Sequence, residues 1–421
     1  MAVQGTSNRF ITPDEIARES LFLLKNNLVA ARNVYRGHTS VFGRIGDTIT
    51  IKKPARFKTT AGRVASTAAP MVDQTIALTV DKQEHVRLDY TQIDRTLSLP
   101  DFSSRYLASA ISALAHSIDK SILDEAIFGG FHSSGSPGTA IVVNDFIDAC
   151  AEMEEVGVPQ DGMVSAMLAP KDAAAIQKDI KATASAEYAA RDTIQGKFLG
   201  DLAGAPAYRT AQMPTHTVGA LGGTPLVNGA SQSGSTLVID GASLSVTGWA
   251  KKGDVFTIAG VYSVNPQTYQ STGRLHQFVV TADADSDGAG NVILSISPSI
   301  NDGTLTTTDG SGNTLSLAAY QNVTALPADN AAITFMGSPG VTYRQALLCH
   351  RDAISLAMVD IVLPTTATEK ARVRDPDSGV SLTLTGFWDG TNFTEAHRID
   401  ALWGVKAVYP DLIHRLWSAT S

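Results

Sequence analysis

Residues 100–130 read PDFSSRYLASAISALAHSIDKSILDEAIFGG, and this stretch decides the fold. Pro100 and Asp101 are typical of a helix start, and the glycine pair at 129–130 is typical of a helix end. Between them, large apolar side chains recur every three or four residues, at Leu107, Ile111, Leu114, Ile118 and Ile122. Nearly thirty helical residues would span about 40 Å, more than a compact domain usually needs. The stretch therefore predicts one long helix that ends at Phe128.

Strands and a basic loop precede this helix. Alternating apolar residues predict strands within residues 48–51, 76–80 and 86–90. The connection between the first two is too long for a tight turn, and such loops are usually functional or mobile. Residues 44–63 hold six basic side chains against one acid: Arg44, Lys52, Lys53, Arg56, Lys58 and Arg63. Because Phe57 is the only aromatic among them, we interpret the loop as a solvated arm that pairs with an acidic neighbour, in preference to a nucleic-acid patch.

Two more helices flank this region. Thr12, Pro13 and Glu15 form a capping box at the start of a helix whose predicted stop is Gly37. A second helix follows Asn144 and ends at Gly157.

Residues 226–341 have a different composition from the rest of the chain. They contain 3 basic and 8 acidic residues and no Glu, although helix surfaces favour Glu and Lys. Short alternating runs separated by Gly, Asp and Asn fill the segment, which is typical of a small antiparallel barrel or sandwich. Beyond Gly340 the sequence returns to apolar strands, around a charged turn at His350–Asp352 and again at Ala401–Val405. This arrangement predicts a β module inserted into a host domain.

Composition excludes several classes of protein. With 421 residues and 43% hydrophobic residues the chain forms more than one domain and is not disordered. The net charge of −8 argues against a nucleic-acid binder that depends on phosphate neutralisation. No run of apolar residues predicts a signal core or a membrane span. The 2 Cys are far apart, which indicates reduced thiols in a cytoplasm.

No motif in the sequence predicts chemistry. Phosphate-loop, dinucleotide and nucleophile-elbow motifs are missing, and the 9 His lack metal-ligand spacing. Asp283–Gly288 matches the start of a calcium loop, but the position that needs a bidentate Glu is Leu294, so a polar hairpin turn explains it better. We therefore predict no catalytic residues, no cofactor and no metal.

Short motifs nevertheless recur in a recognisable order. They are Asp14-Glu15-Ile16, Phe146…Asp148-Ala149, Pro170…Asp172, Tyr188…Arg191-Asp192, Thr193-Ile194-Gln195, Thr247-Gly248…Lys252-Gly253-Asp254…Ala259-Gly260-Val261, Ala319-Tyr320…Asn322-Val323, Cys349 to Ile354, and Arg398-Ile399…Trp403-Gly404-Val405…Pro410. In this order they resemble the P22-like coat proteins of short-tailed phages. The chain departs from that family at residues 229–246, where the family has a longer charged loop that reaches between capsomers.

The resemblance implies an α+β, Hong Kong 97-like capsid fold with an inserted small antiparallel β-barrel. The shell domain would comprise residues 1–225 and 342–421, and the insert residues 226–341. Within the shell domain, residues 1–36 would be the N-arm, about 44–85 the extended loop and about 99–128 the spine helix. A protruding basic loop and a long helix make sense where each subunit lies across its neighbour.

The function implied by the resemblance is a non-enzymatic major capsid protein of a tailed bacteriophage. It would assemble with a scaffolding protein, in the bacterial host cytoplasm, into an icosahedral virion head that encloses the double-stranded DNA genome without sequence-specific binding and without a membrane. Its partners would be itself in pentamers and hexamers, the scaffolding protein, the portal protein and, as an optional partner, a cement or decoration protein.

The six basic loop residues are the predicted inter-subunit contacts. Asp14 and Glu15 are the predicted scaffold-binding residues, although helix capping explains them equally well. Two other functions stay open at this point. The Gly-, Thr- and Ser-rich middle also fits a β-rich virion adhesin or carbohydrate-binding structural component, and a hydrolase with an unrecognised site is the third possibility.

Overall fold

The computed structural model describes residues 13–40, 48–58, 63, 74–91, 108–183, 201–308, 312, 314–365, 367, 369–375, 379–389 and 394–421. Its α-helices are α1 (Pro13–Asn27), α2 (Ala108–Gly129), α3 (Val143–Val156) and α4 (Pro170–Thr183). None of them has the length and apolar character that a membrane span requires.

The described residues also form strands. In chain order they are β1 (Thr48–Lys52), β2 (Thr75–Thr79), β3 (Lys82–Thr91), β4 (His132–Ser134), β5 (Val164–Leu168), β6 (Asp201–Leu202), β7 (Ala205–Arg209), β8 (Thr215–Thr217), β9 (Gly223–Val227), β10 (Gly234–Ala242), β11 (Val255–Val264), β12 (Ser271–Val280), β13 (Val292–Ile300), β14 (Thr306–Thr308), β15 (Thr314–Ser316), β16 (Ile333–Phe335), β17 (Thr342–His350), β18 (Ile354–Met358), β19 (Glu369–Arg374), β20 (Ser381–Asp389), β21 (Thr394–Ala407) and β22 (Ile413–Thr420).

The long helix α2 confirms the prediction from its apolar stripe. Ile111, Leu114, Ile118 and Ile122 are all at most 2% exposed, and the helix ends at Gly129. The predicted start at Pro100 and the stripe residue Leu107 lie outside the described residues. The 22 described residues of the helix span about 33 Å.

The helix α1 ends earlier than predicted, at Asn27 instead of Gly37. The backbone N–H groups of Val29 and Ala31 donate to the Asp119 carboxylate, at 2.7 and 3.0 Å, so they do not continue the helix. Short 3-10 turns follow at Ala30–Arg32 and Gly37–Ser40. The local helical pattern is thus overridden by Asp119, a buried residue far along the sequence. The sequence alone does not reveal this contact.

The helix α3 confirms the prediction that a helix ends at Gly157. Gly157 has φ 88°, the left-handed conformation that glycine adopts at a helix C-terminus without strain. At the other end, the Val142 N–H donates to Asp145 Oδ2 at 3.0 Å.

The chain divides into two compact units. Unit 1 comprises the described residues within Met1–Ile49, Ala77–Ile122 and Ser355–Lys406, and unit 2 those within Thr50–Ile76, Leu123–Ile354 and Ala407–Ser421.

A five-stranded sheet forms the centre of unit 1. Its order is β18-β21-β20-β19, and β3 pairs antiparallel with β21. Helix α1 packs on β19 and β20. The fully buried Trp403 of β21 donates its indole N–H to Ser121 Oγ of α2 at 2.9 Å. The predicted strand at Ala401–Val405 is therefore confirmed, and it lies in the core of this unit.

A seven-stranded mixed sheet forms part of unit 2. Its order is β4-β22-β17-β5-β7-β6, and β8 also pairs with β17. An apolar cluster joins this sheet to α3 and α4 through Phe146, Ala149, Ile176 and Leu348.

The segment 226–341 forms strands in its described residues, with one 3-10 turn at Ala318–Tyr320, so the predicted β structure is confirmed. Its sheet has the order β16-β11-β12-β13-β10-β9. The first and last of these strands approach each other, because Leu226 bridges Ala332 and the Val227 N–H donates to Ala331 O at 3.0 Å. Strand β9 begins at Gly223, ahead of residue 226.

Candidate functional site

The basic strip, defined as Lys52–Lys58, begins at the last residue of β1, and its other residues belong to no helix or strand. It carries four of the six predicted contact residues: Lys52, Lys53, Arg56 and Lys58. The Lys53 N–H donates to Gln74 O at 2.8 Å and so extends the pairing of β1 with β2. Pro54 has no N–H to donate, so it ends the ladder. Arg63 is described and exposed, whereas Arg44 lies outside the described residues.

Arg56 makes the most specific contacts of the strip. Its guanidinium bonds Asp411 Oδ2 at 3.0 Å, with side chains 42% and 38% exposed. It also lies over the Tyr320 ring, 6.0 Å from the centroid, and the Arg56 N–H donates to Tyr320 Oη at 3.4 Å. An exposed ion pair is worth about 0–1 kcal/mol, and an exposed cation–π contact about 0.5–1 kcal/mol. Arg56 is therefore oriented by its contacts and held only weakly.

The two neighbouring lysines also lie over tyrosine rings. Lys58 Nζ is 4.7 Å from the Tyr269 ring centroid and 3.4 Å from Gln321 Oε1. Lys53 Nζ is 5.5 Å from the Tyr409 ring centroid. Burial lowers the pKa of Lys53, and Asp411 partly opposes this effect.

Together these partners form a receiving surface. It is defined as Tyr269, Tyr320, Gln321, Tyr409 and Asp411. Sequence reasoning predicted an acidic partner for the strip, and Asp411 supplies one acid. It did not predict the tyrosines, because they come from separate loops of the 226–341 segment and from the residues before β22.

A cleft of about 430 Å³ lies beside the strip, lined by Arg56, Phe57 and Asp411 and by the side chains of His132 and His276. His276 is 4% exposed and packs 4.7 Å from the Phe278 ring, and its Nε2 has no partner among the described residues. His414 of β22 stacks on His132, with 6.3 Å between the ring centroids, and is 1% exposed. Burial lowers the pKa of both His276 and His414 to about 3.

These histidines make unit 2 sensitive to acid. The folded chain resists protonation of His276, whereas the unfolded chain binds the proton near pH 6.5, so stability falls as the pH drops from about 6.5 towards 3. We expect His276→Phe to abolish this contribution. Between pH 7 and pH 4, the free energy of unfolding of the variant should therefore fall by about 2–3 kcal/mol less than that of the wild type. Urea unfolding at both pH values measures the difference. His85→Phe, at an exposed position in β3, is the control, and equal losses in all three proteins would contradict the prediction.

A buried polar network centres on Arg415, which is 0% exposed. Its guanidinium donates to Gly253 O at 2.8 Å and to Gln345 Oε1 at 3.1 Å. Beside it, His216 Nε2 and Asp254 Oδ1 are 2.7 Å apart, and both side chains are buried. The network therefore connects the 226–341 segment to β17 and β22. Sequence reasoning missed it, because no local motif marks an arginine that will be buried.

The predicted scaffold-binding residues Asp14 and Glu15 lie in the first turn of α1. Their side chains lie outside the described part of the structure.

The aspartates at 283–287 act separately. Asp283 accepts from the Lys252 N–H, Asp285 from the Gly248 N–H, and Asp287 from the Ala289 and Asn291 N–H groups. This is the polar turn that the sequence favours. In the described ranges, no three His, Cys, Asp or Glu side chains are arranged to hold a metal ion.

The chain is similar to viral coat proteins. The family model described as "P22 coat protein - gene protein 5" matches residues 19–414, whereas no curated protein matches the chain significantly. Among solved structures, "Mycobacterium phage Che8" is 13% identical with a TM-score of 0.45, over 92% of this chain and 90% of that chain. "Capsid of Ralstonia phage GP4" is 8% identical with a TM-score of 0.47, over 93% and 88%. "CUS-3 coat protein I-domain" is 29% identical with a TM-score of 0.18, over 27% and 96%.

Proposed function

The chain belongs to the P22 coat protein family and is the major capsid protein of a tailed bacteriophage, and from this premise we propose that its copies form the pentamers and hexamers of an icosahedral head around the double-stranded DNA genome. The observation that carries the proposal is the family match across residues 19–414. The net charge of −8 supports a shell that encloses DNA without binding its phosphates tightly. The family membership also favours the capsid function over the adhesin and hydrolase alternatives. In this proposal the chain has a structural role in the head of the virion.

The basic residues of the strip, with Arg44 and Arg63, are proposed to contact a neighbouring subunit. This proposal is supported by the positive charge of the strip and by its exposure, since Lys52, Arg56 and Lys58 are all exposed. A single exposed ion pair contributes only about 0–1 kcal/mol, so the stability of a shell must come from the repetition of such contacts in every subunit.

Reversing the charge of the strip tests this proposal. We expect the triple variant Lys52→Glu, Lys53→Glu and Arg56→Glu to give few closed heads in electron micrographs, because repulsion would replace attraction at every copy of the contact. The control makes the same change of charge at exposed positions elsewhere, Lys171, Lys252 and Arg351. A normal yield of heads from the strip variant would contradict the proposal.

The segment 226–341 is proposed to be an inserted β-barrel domain that stabilises the subunit and sets contacts between capsomers. The order of its strands supports closure, since the Leu226–Ala332 bridge brings the two edge strands together. Closure removes exposed strand edges, which would otherwise pair with other chains.

Interactions with other head proteins are proposed from the family alone. A scaffolding protein would bind Asp14 and Glu15 during assembly in the bacterial host cytoplasm, a portal protein would join the shell, and a cement or decoration protein is an optional partner. Unchanged co-assembly of Asp14→Lys subunits with the scaffold would leave helix capping as the sole role of that residue.

A further inference from the structure

Three histidine rings meet where the 226–341 segment contacts the edge of the seven-stranded sheet. His132 belongs to β4, the edge strand of that sheet, His414 to the neighbouring β22, and His276 to β12 of the segment. The rings of His132 and His414 are stacked, with centroids 6.3 Å apart and planes within 5° of parallel. The rings of His132 and His276 both pack on Phe131, at 4.2 and 5.7 Å between centroids. Three imidazoles from three separate strands therefore form one cluster.

A glutamine side chain connects β12 to β4 beside this cluster. Gln277 Oε1 accepts from the Ser133 N–H at 2.7 Å, and Gln277 Nε2 donates to Ser133 O at 2.6 Å. The amide thus pairs with the outer edge of β4 as the backbone of a further strand would. His132 and His276 directly precede Ser133 and Gln277, so separation of this pair would also separate the two rings. We call the Gln277–Ser133 pair and the three histidines the seam.

The seam accommodates neutral imidazole better than imidazolium. The Nε2 atoms of His132 and His276 are buried and have no hydrogen-bond partner among the described residues. His276 Nδ1 lies 3.3 Å from Ser263 Oγ, and His414 Nε2 lies 2.9 Å from Ser134 Oγ. Imidazolium carries an N–H on both ring nitrogens, so a proton added to His276 would leave one N–H without an acceptor. Burial lowers the pKa of His132 to about 4 and that of His276 to about 3.

Charged groups around the cluster add to the effect of burial. After burial, Asp411 raises the pKa of His132 and Arg274 of β12 lowers it. His132 lowers the pKa of both His276 and His414, because a proton on one ring repels a proton on the next. Arg274 also lowers the pKa of His414. The three rings are therefore neutral together while the seam is closed.

The carboxylates of α3 partly oppose this effect. Glu152 pairs with Arg274, and Glu152 Oε2 lies 3.6 Å from His414 Nε2, while Glu155 lies 3.9 Å from Arg274. Burial raises the pKa of Glu152, and the hydrogen bond from Arg274 opposes that rise. A carboxyl group with a raised pKa binds its proton more readily in the closed seam, so Glu152 offsets the uptake of up to one proton on opening.

The packing around the seam allows it to open locally. Phe131, on which two of the histidines pack, belongs to a small apolar cluster with Val255 and Val279. The core of the 226–341 segment is a different and larger cluster, which includes Trp249. Loss of the contacts in the seam therefore leaves the larger core in place.

We propose that the histidine cluster is an acid-operated switch, which opens the seam between β12 and β4 while the core of the 226–341 segment stays folded. In the open seam the rings reach water and regain a pKa near 6.5, so the open state binds up to three protons that the closed state resists. The seam is therefore closed at neutral pH, and opening becomes more favourable as the pH falls from about 6.5 towards 4. This switch goes beyond the proposed function and does not depend on it.

Hydrogen exchange of the full chain between pH 6.5 and pH 4.5, followed by mass spectrometry of its peptides, tests the proposal. The seam is reported by the peptide that contains Ser133, and the core of the segment by a peptide from β13. Exchange rates are corrected for the intrinsic effect of pH on each amide. From pH 5.5 to pH 4.5 we expect opening of the seam to increase roughly a hundredfold or more, because a net two to three protons are bound. The β13 peptide should stay protected over the same interval.

A matched pair of variants assigns the effect to the cluster. His276→Phe removes one of the three protons and keeps a ring in place, so the increase between pH 5.5 and pH 4.5 should be roughly tenfold smaller than in the wild type. His85→Phe, at an exposed position in β3, should behave like the wild type.

Two results with the wild-type chain alone would overturn the inference, whether or not the variants fold. One is an increase of tenfold or less for the seam peptide, since that would mean the uptake of no more than one proton. The other is loss of protection in β13 at the same pH as in the seam, since the acid would then unfold the whole segment. An equal increase in a folded His276→Phe chain and the wild type would also contradict the proposed role of the cluster.

Discussion

Arg415→Ala is expected to lower the free energy of unfolding by about 3–5 kcal/mol, because the change leaves buried polar groups without a partner. Gln345 is 0% exposed and its side-chain oxygen accepts from Arg415 Nε, while the Gly253 carbonyl accepts from Nη1. Alanine satisfies neither acceptor and leaves a cavity beside Trp417, over whose ring the guanidinium lies at 5.4 Å. Urea unfolding followed by far-ultraviolet circular dichroism measures the loss.

Two variants make the Arg415 result specific. Arg415→Lys keeps a positive charge but offers a single ammonium in place of the planar fork, so it should recover only part of the stability. Arg351→Ala removes an exposed arginine and should change the stability by less than about 0.5 kcal/mol. If Arg415→Ala unfolds at the same urea concentration as Arg351→Ala, the buried network does not hold the 226–341 segment to the sheet.

Trp249→Ala is expected to cost a similar amount, about 3–5 kcal/mol, but through packing. Trp249 is fully buried within an apolar cluster that includes Phe256 and Phe278, and its indole N–H donates to Gly222 O at 2.8 Å. Its ring meets the Phe335 ring edge-on, 5.6 Å between centroids. Alanine would leave a cavity in the middle of this cluster and a carbonyl without its donor.

The control for Trp249 is Leu244→Ala, in the same segment, where the side chain is 63% exposed. Its stability should stay within about 0.5 kcal/mol of wild type. Limited proteolysis of the full chain then locates the damage, and the first cuts in Trp249→Ala are expected within 226–341. A first cut outside that segment, or a loss equal to that of Leu244→Ala, would contradict the assignment of Trp249 to its core.

Elements with their own local period could be predicted from the sequence. The stripe of α2 and the alternating runs of the 226–341 segment carry the burial pattern in the residues themselves. Helix α1 was predicted too long, because the Asp119 carboxylate that takes the Val29 and Ala31 N–H groups lies some ninety positions along the chain. Helix α4 was not predicted, although Pro170 at its first position and Asp172 in its first turn are signals of a helix start.

The candidate site was only half predictable for the same reason. The charge of the strip is a local property, so Lys52, Lys53, Arg56 and Lys58 could be identified from composition. Its receiving surface is assembled from residues more than two hundred positions away, such as Tyr320 and Asp411. No periodicity connects such positions, and only the packed chain brings them together.

The most direct test of the central claim is the state of the purified wild-type chain, viewed by electron microscopy across a range of protein concentrations. A subunit that binds other copies of itself is expected to form closed shells or tubular polyheads as the protein concentration rises. Monomers or trimers that persist at high concentration would contradict the account.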